Sequence, residues 1–283
     1  MIAITGASGN LGRSTINFLL KKIEPSKIVA IVRDPKKLND IKDTGIETRK
    51  ADYNDFESLK TALQGVEKLL QISTTSVGQE AIKQESNVVQ AAIENQINHL
   101  IYTSSLQPKS TALFQATHQA LKTEEAIKNS GMAFTFFRNS LYMEAIPQLF
   151  GNALKDGRIN YPGGKGEISF VSREDIAEAL SIVLTEEGHA NKVYEITGKK
   201  SYTFLELTNV LTETKEKSFK YESISLDTYR VELAGYHLPE QVIDLLASMA
   251  RGIQENEFAY LDDTLQRILG REPLSLKRYL EVE

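Results

Sequence analysis

The sequence predicts an α/β fold, a doubly wound parallel sheet with a smaller, mostly helical C-terminal lobe. Three observations predict it. Strand-like and helix-like stretches alternate as far as about residue 139, the rhythm of successive βαβ units. The first of these units, MIAITGASGNLG, sets Gly6, Gly9 and Gly12 three residues apart between an apolar β run and a helical stretch. Beyond Asn139 the alternation gives way to turn clusters, isolated strands and helices. The expected division is a sheet domain over 1–139 and a lobe over 140–283, the lobe discontinuous, with a strand or two returning to the sheet.

In order, Ile2-Ala3-Ile4 is the opening strand, and Leu11, Ile16, Phe18, Leu19 and Leu20 have helical spacing behind the glycines. Ile28 to Val32 reads as a second, buried strand and Glu47 to Asp52 as a more polar third. A helix from Asp55, its N-cap, to Leu63 stops before Gly65. Val66 to Ile72 is the fourth strand. A long helix, Gln79 to Asn95, follows with Ile82, Val88, Val89, Ala92 and Ile93 inward. His99 to Thr103, a helix over Gln119 to Lys128, and Met132 to Phe137 complete the sheet domain. In the lobe, Tyr142 to Leu154 reads as helical despite Pro147, and Tyr161 to Gly166 as a turn cluster. Ile168 to Val171 is a strand, Asp175 to Leu184 a helix, Val193 to Thr197 a strand, and Thr203 caps a helix running to Glu213.

The totals set limits. Of 283 residues 41% are hydrophobic and 25% charged, ordinary values for a soluble globular protein. The net charge of −5, without a basic block, argues against a nucleic-acid partner. Having no cysteine excludes disulfides, thiol catalysis and thiolate metal sites. The apolar N-terminal run is too short for a signal peptide, and no stretch reaches the roughly 20 apolar residues that span a bilayer. No membrane association is expected, and the expected compartment is the cytoplasm. His99, His118, His189 and His237 are dispersed without metal-ligand spacing. Gly164-Lys165-Gly166 lacks the Ser or Thr of a phosphate loop, and Lys215-Glu216-Lys217 reads as solvated surface.

Strand, glycine turn and helix in succession is the setting in which a glycine triplet marks dinucleotide binding. Gly6 permits the tight turn, Gly9 the approach of a pyrophosphate to the backbone, and Gly12 close packing of helix on strand. Ser8, Asn10 and Leu11 lie in the same loop, and the helix N-terminus offers free N–H groups to the phosphates. In NAD-binding relatives of this architecture an acidic residue about 20 positions on holds the ribose 2′-hydroxyl. Here the corresponding stretch is Val32-Arg33-Asp34-Pro35-Lys36-Lys37, with its one acid a place late. Arg33, helped by Lys36 or Lys37, suits a 2′-phosphate, so NADPH is the expected cofactor. Asp52 and Tyr53 at the third strand end are placed to meet the adenine, and Ser73, Thr74 and Thr75 at the fourth to line the ribose–nicotinamide side. Ser104, ending the fifth strand, is a further cofactor-side candidate.

With Ile101-Tyr102-Thr103-Ser104-Ser105, Phe137-Arg138-Asn139-Ser140-Leu141-Tyr142 and Glu187-Gly188-His189 before Lys192-Val193-Tyr194, the chain resembles the NmrA-like group of atypical short-chain dehydrogenases/reductases. Within it, the similarity is greatest to type 2 NAD(P)H:quinone oxidoreductases and triphenylmethane reductases. The resemblance runs nearly end to end. It implies a monomeric or homodimeric Rossmann-fold enzyme that passes hydride from NADPH to quinones or similar planar conjugated acceptors. By the same resemblance Arg33 meets the 2′-phosphate, Asn139 and Tyr142 flank the nicotinamide and substrate, and the Gly163-Gly164-Lys165 loop lies near the open side of the pocket.

One expected element is missing. Ordinary short-chain dehydrogenases protonate an alkoxide with a Tyr-x-x-x-Lys pair, and no tyrosine has that spacing between Ser110 and Lys128. His118, four residues before Lys122, has the spacing and is a candidate proton donor. The family places its histidine two residues later, where this chain has Ala120; the alternative for His118 is a solvated helix residue. A quinone acceptor tolerates the loss, because its reduced form is a delocalised phenolate of pKa roughly 10 that takes a proton from water. The competing functional reading is an NADP(H)-binding redox sensor acting through a protein partner. Asn139 and Tyr142 weigh toward the enzyme, since a sensor needs only nucleotide contacts.

Overall fold

The computed structural model describes residues 1–151, 153–215 and 217–282, with only the backbone of Lys42, Ala153 and Leu154. Asn152, within the expected Tyr142–Leu154 helix, and Glu216, within the lysine-rich stretch, lie outside the described residues, as does Glu283.

The alternating first half folds as its patterning requires. Strands β1 (Ile2–Ile4), β2 (Ile28–Val32), β3 (Glu47–Lys50), β4 (Lys68–Gln71), β5 (His99–Ser105), β6 (Ala133–Asn139) and β9 (Lys192–Ile196) form one seven-stranded sheet in the order β3-β2-β1-β4-β5-β6-β9. β1 pairs in parallel with β2 and β4, with Ile4 opposite Ala30 and Leu70; β2–β3 and β4–β5 are also parallel. The order reverses between β1 and β4. In an open α/β sheet, that reversal leaves a crevice at the carboxyl ends of the strands. This is the Rossmann-like arrangement that the βαβ rhythm predicts.

Two compact units make up the chain. The first comprises residues 1–105, 119–138 and 176–194; the second comprises 106–118, 139–175 and 195–283. A cut at 139/140 therefore crosses both: the loop after β5 groups with the second unit, and residues 176–194, which run into β9, group with the first.

In the first unit, α1 (Asn10–Leu19) buries Leu11, Ile16 and Leu19. α2 (Phe56–Ala62) is capped by Asp55, whose carboxylate accepts the Ser58 N–H. α3 (Gly78–Glu94) packs Val88, Val89, Ala91 and Ala92 into a core with Ala3, Val29, Leu69, Leu100 and Phe136. Ile93, expected inward, is exposed at the far end of α3. α4 (Gln115–Asn129) starts four residues before its expected onset. β3 ends at Lys50 because the Asp52 N–H turns to the Ser58 hydroxyl.

The second unit departs further from expectation. Pro147 cannot donate to a continuous helix, so Tyr142–Leu154 breaks up. A 3₁₀ turn at Met143–Ala145 leads into α5 (Ile146–Phe150), which Gly151 follows at φ +52°. After α6 (Ala153–Asp156) and β7 (Arg158–Asn160), the strand expected over Ile168–Val171 shrinks to β8 (Glu167–Ile168). The Ser169 N–H turns away to the Phe258 carbonyl and Val171 bridges Tyr142. α7 (Arg173–Thr185), most of which groups with the first unit, leads to β9; in the second unit, β10 (Tyr202–Thr203) pairs with β8. Thr203 then caps α8 (Phe204–Lys215) in a capping box with Glu206. β11 (Lys220–Glu222), α9 (Leu226–Gly235), α10 (Glu240–Gln254), α11 (Thr264–Leu269) and α12 (Leu276–Val282) complete it. Tyr161 stacks on Phe204 at 4.4 Å in its core.

Candidate active site

The loop between β1 and α1 has the geometry of a backbone cradle. Gly6 turns the chain at φ +62°, a conformation that favours glycine, and its carbonyl accepts the Gly9 N–H at 2.9 Å. A Cβ at Gly12 would lie 2.6 Å from the Gly6 carbonyl oxygen and 2.8 Å from the Ala7 Cα. Only a residue without a side chain lets α1 sit this close to the loop. Gly9 is the N-cap with no side-chain partner, and the first ladder bond runs from the Arg13 N–H to the Gly9 carbonyl. The N–H groups of Asn10, Leu11 and Gly12 thus lie ahead of the helical ladder, at the positive end of the dipole, with no acidic residue in the turn. Gly6, Gly9 and Asn10 are exposed, Ser8 is half-buried, and Leu11 points to the core. Leu11 is therefore limited to a backbone contribution.

At the end of β2, Arg33 and Lys36 are exposed and their side chains have no hydrogen-bond or ion-pair partner among the described residues. The Asp34 carboxylate accepts the Lys36 N–H at 3.0 Å and caps the 3₁₀ turn Pro35–Leu38. The one acid of this stretch is thereby used locally. Arg13, from the first turns of α1, binds the Lys37 carbonyl and the Asp40 carboxylate.

At the ends of β3 and β4, Asp52 accepts the Asn54 N–H. The Tyr53 hydroxyl lies 2.5 Å from Thr5 Oγ1 and 2.7 Å from the Ile72 carbonyl. Burial pushes this phenol well above its ordinary pKa, and its hydroxyl ties β1 to β4. Only the ring of Tyr53 remains for a ligand. The Ser73 N–H donates to Thr103 Oγ1, the Thr74 N–H to Glu85, and the Thr74 hydroxyl to Gln84. Thr75 is exposed. The Ser104 hydroxyl donates to Glu124 at 2.7 Å, and Arg138 holds the same carboxylate through Nε at 2.9 Å and Nη2 at 2.7 Å.

In the second unit, Asn139 Nδ2 donates to the Tyr142 hydroxyl oxygen at 3.2 Å. Asn139 is 7% exposed, and its Oδ1 is buried without a partner. The Tyr142 hydroxyl accepts from Asn139 and retains its own proton for another acceptor. Burial raises the Tyr142 pKa, opposed by the Asn139 hydrogen bond and by Arg173, whose guanidinium sits 5.2 Å over the ring. His118 lies in the first turn of α4, half-buried rather than solvated, with Nε2 shielded and unpartnered. No hydrogen bond joins it to Asn139 or Tyr142. Gly163 packs directly on the Phe204 ring, and the Gly164 N–H donates to Ser223.

Sequence reasoning missed two acids of the first unit that are fully buried, Glu85 on α3 and Glu124 on α4, both 0% exposed. Among the described residues no three His, Asp or Glu side chains converge on a metal site, and no helix is long and apolar enough to cross a membrane.

The NmrA-like family model matches residues 1–283. Quinone oxidoreductase 2 of Escherichia coli (strain K12) is 37% identical over 276 residues, covering 98% of this chain and 96% of its own. Among solved structures, Citrobacter sp. triphenylmethane reductase complexed with NADP(H) superposes with a TM-score of 0.93 at 35% identity, over 100% of this chain and 99% of that one. The NADPH-dependent quinone oxidoreductase complexed with NADPH from Escherichia coli gives 0.94 at 35% identity, with the same coverage.

Proposed function

Since the chain belongs to the NmrA-like family, we propose that it is an NADPH-dependent oxidoreductase that reduces quinones or similar planar conjugated acceptors. The observation that carries the proposal is the cradle at Gly6–Gly12, whose close loop–helix packing a Cβ at Gly12 would force apart, with unpartnered cations at Arg33 and Lys36 beyond the next strand. Relatives named as a quinone oxidoreductase and a triphenylmethane reductase support the acceptor class, and the structural neighbours' NADP(H) and NADPH support the cofactor.

NADPH bound here supplies a hydride. The N–H groups of Asn10, Leu11 and Gly12, with Ser8, hold the pyrophosphate. Arg33 pairs with the 2′-phosphate and Lys36 adds charge, unopposed by Asp34, whose carboxylate faces the Lys36 N–H. Asp52 and the Tyr53 ring border the adenine, while Ser73, Thr74, Thr75 and Ser104 border the ribose and nicotinamide. With its proton committed to Glu124, Ser104 presents lone pairs and accepts a hydrogen bond. The orphaned Oδ1 of Asn139 accepts from a ligand N–H or O–H, a role consistent with its burial. Tyr142, a neutral phenol, donates to the acceptor's carbonyl oxygen and presents its ring to the acceptor plane. His118 is kept as an acceptor-side candidate, but a quinone does not require it, because the phenolate product takes its proton from water. Positioning and exclusion of competing reactions remain the protein's main tasks.

The reaction calls for neither nucleic acid nor membrane, and we place the enzyme in the cytoplasm, with light scattering to decide between monomer and homodimer. NADPH consumption, followed with a panel of quinones and triphenylmethane dyes, tests the proposal. Turnover with at least one class is expected. Tight NADPH binding with no turnover on any acceptor would replace the enzyme with a redox sensor.

A further inference from the structure

Glu85 has no role in the mechanism above, and its environment is unusual. The residue is 0% exposed. Its Oε1 accepts the Thr74 N–H at 3.0 Å, and its Oε2 accepts the Tyr102 hydroxyl at 2.7 Å and the Thr123 hydroxyl at 2.6 Å. All three donors are neutral, and no Lys, Arg or His lies within ion-pair distance among the described residues. Glu124, equally buried, shows the contrast, because Arg138 neutralises it from two nitrogens. Burial pushes the Glu85 carboxyl above its ordinary pKa, and the Thr123, Tyr102 and Thr74 hydrogen bonds pull it back.

A buried carboxylate without a counter-cation is costly, and a neutral residue of similar shape would ordinarily serve packing better. The donors that hold it come from the loop after β4, from β5 and from α4. They make it the common anchor of those three elements. Thr74, one hydrogen bond from the carboxylate, belongs to the segment assigned above to the ribose and nicotinamide.

We propose that Glu85 is a positioning residue for the cofactor. It fixes the Thr74 backbone, and its uncompensated charge sets a negative potential at the nicotinamide end of the site. That potential favours the oxidised, positively charged ring over the reduced, neutral one, so it also favours hydride donation. The inference rests on the placement of NADP(H) at the glycine loop.

The test compares Glu85→Gln and Glu85→Asp in the full chain by calorimetric titration with NADP⁺ and, separately, with NADPH. Glu85→Gln is expected to weaken NADP⁺ several-fold more than NADPH, because it removes a unit charge that a medium of low effective dielectric screens only in part. Glu85→Asp keeps the charge, so it leaves the ratio of the two affinities near that of the wild type even if both fall. Should Glu85→Gln fail to fold, Tyr102→Phe serves instead. It withdraws one donor and moves the ratio the same way by a smaller factor, measurably so as the pH is lowered. Equal weakening of both forms in Glu85→Gln, or an unmoved ratio in Tyr102→Phe where that variant stands in, overturns the inference. A wild-type chain that binds neither form overturns the cofactor placement instead.

Discussion

A single added methyl group separates the two jobs of the glycine loop. In Gly12→Ala the new Cβ would lie 2.6 Å from the Gly6 oxygen and 2.8 Å from the Ala7 Cα. Ordinary contact begins near 3.4 Å, so loop and helix must separate by roughly 0.8 Å. Overpacking of this kind costs about 1–3 kcal/mol, and the better helix propensity of alanine returns up to about 1 kcal/mol. The net loss is about 1–2 kcal/mol, or a few degrees in Tm for a chain of this size. The same displacement misaligns N–H donors whose charge-assisted bonds are each worth about 1.5–3 kcal/mol, so the NADPH Kd should rise about 10- to 100-fold. Gly9→Ala behaves differently. Its Cβ meets only the Gly6 oxygen, at 3.3 Å, and its φ of −77° suits any residue. Stability should stay within about 0.5 kcal/mol of wild type, while the methyl blocks the pyrophosphate and NADPH binding falls. Thermal melts followed by circular dichroism, paired with calorimetric NADPH titrations, read both quantities. Wild-type Tm and Kd in Gly12→Ala would refute the close approach. Wild-type affinity in Gly9→Ala would refute the path of the pyrophosphate.

The remaining predictions concern the 2′-phosphate end of the cofactor and the acceptor side of the site. Arg33→Glu should raise the KM for NADPH much more than that for NADH; equal effects in steady-state kinetics would remove Arg33 from the 2′-phosphate. Tyr142→Phe should lower kcat/KM for quinones about 10-fold through loss of one hydrogen bond to the acceptor. Because burial raises the Tyr142 pKa above its ordinary 10.0, the phenol stays protonated below that pH. The wild-type pH–rate profile should therefore show no alkaline limb from Tyr142 up to pH 10. In the same assay, His118→Asn should leave quinone turnover within about twofold, since the phenolate product needs no acid near pH 7.

Much of the first unit was legible because its signals are local. The β1–Gly6–Gly9–Gly12–α1 unit, the buried β2 and the Asp55 cap each follow from a few adjacent residues, and the structure has them in those places. Arg33 was legible as a cation where an acid was expected. That Asp34 would be spent on the Lys36 N–H needed the turn geometry. The buried acids had a signal that went unread. Glu85 falls four residues after Ala81 and three before Val88, and Glu124 four after Ala120 and three before Ile127, so both lie on their helices' buried faces. A charged residue in a helix is usually solvated, and only its partners from other elements make burial affordable. The second unit was harder for the same reason. The short β8 and the break at Pro147 are set by bonds to residues distant in sequence, such as Ser169 to Phe258, and no local pattern carries them.

A label in the product tests direct hydride transfer from cofactor to acceptor. NADPH deuterated at the reactive face of C4 is supplied with a triphenylmethane dye, whose central carbon becomes a non-exchangeable C–H on reduction. The colourless product is expected to carry the deuterium at that carbon when the reaction is run in ordinary water. A product without label, formed at a normal rate, would mean that the hydride does not pass directly from cofactor to acceptor.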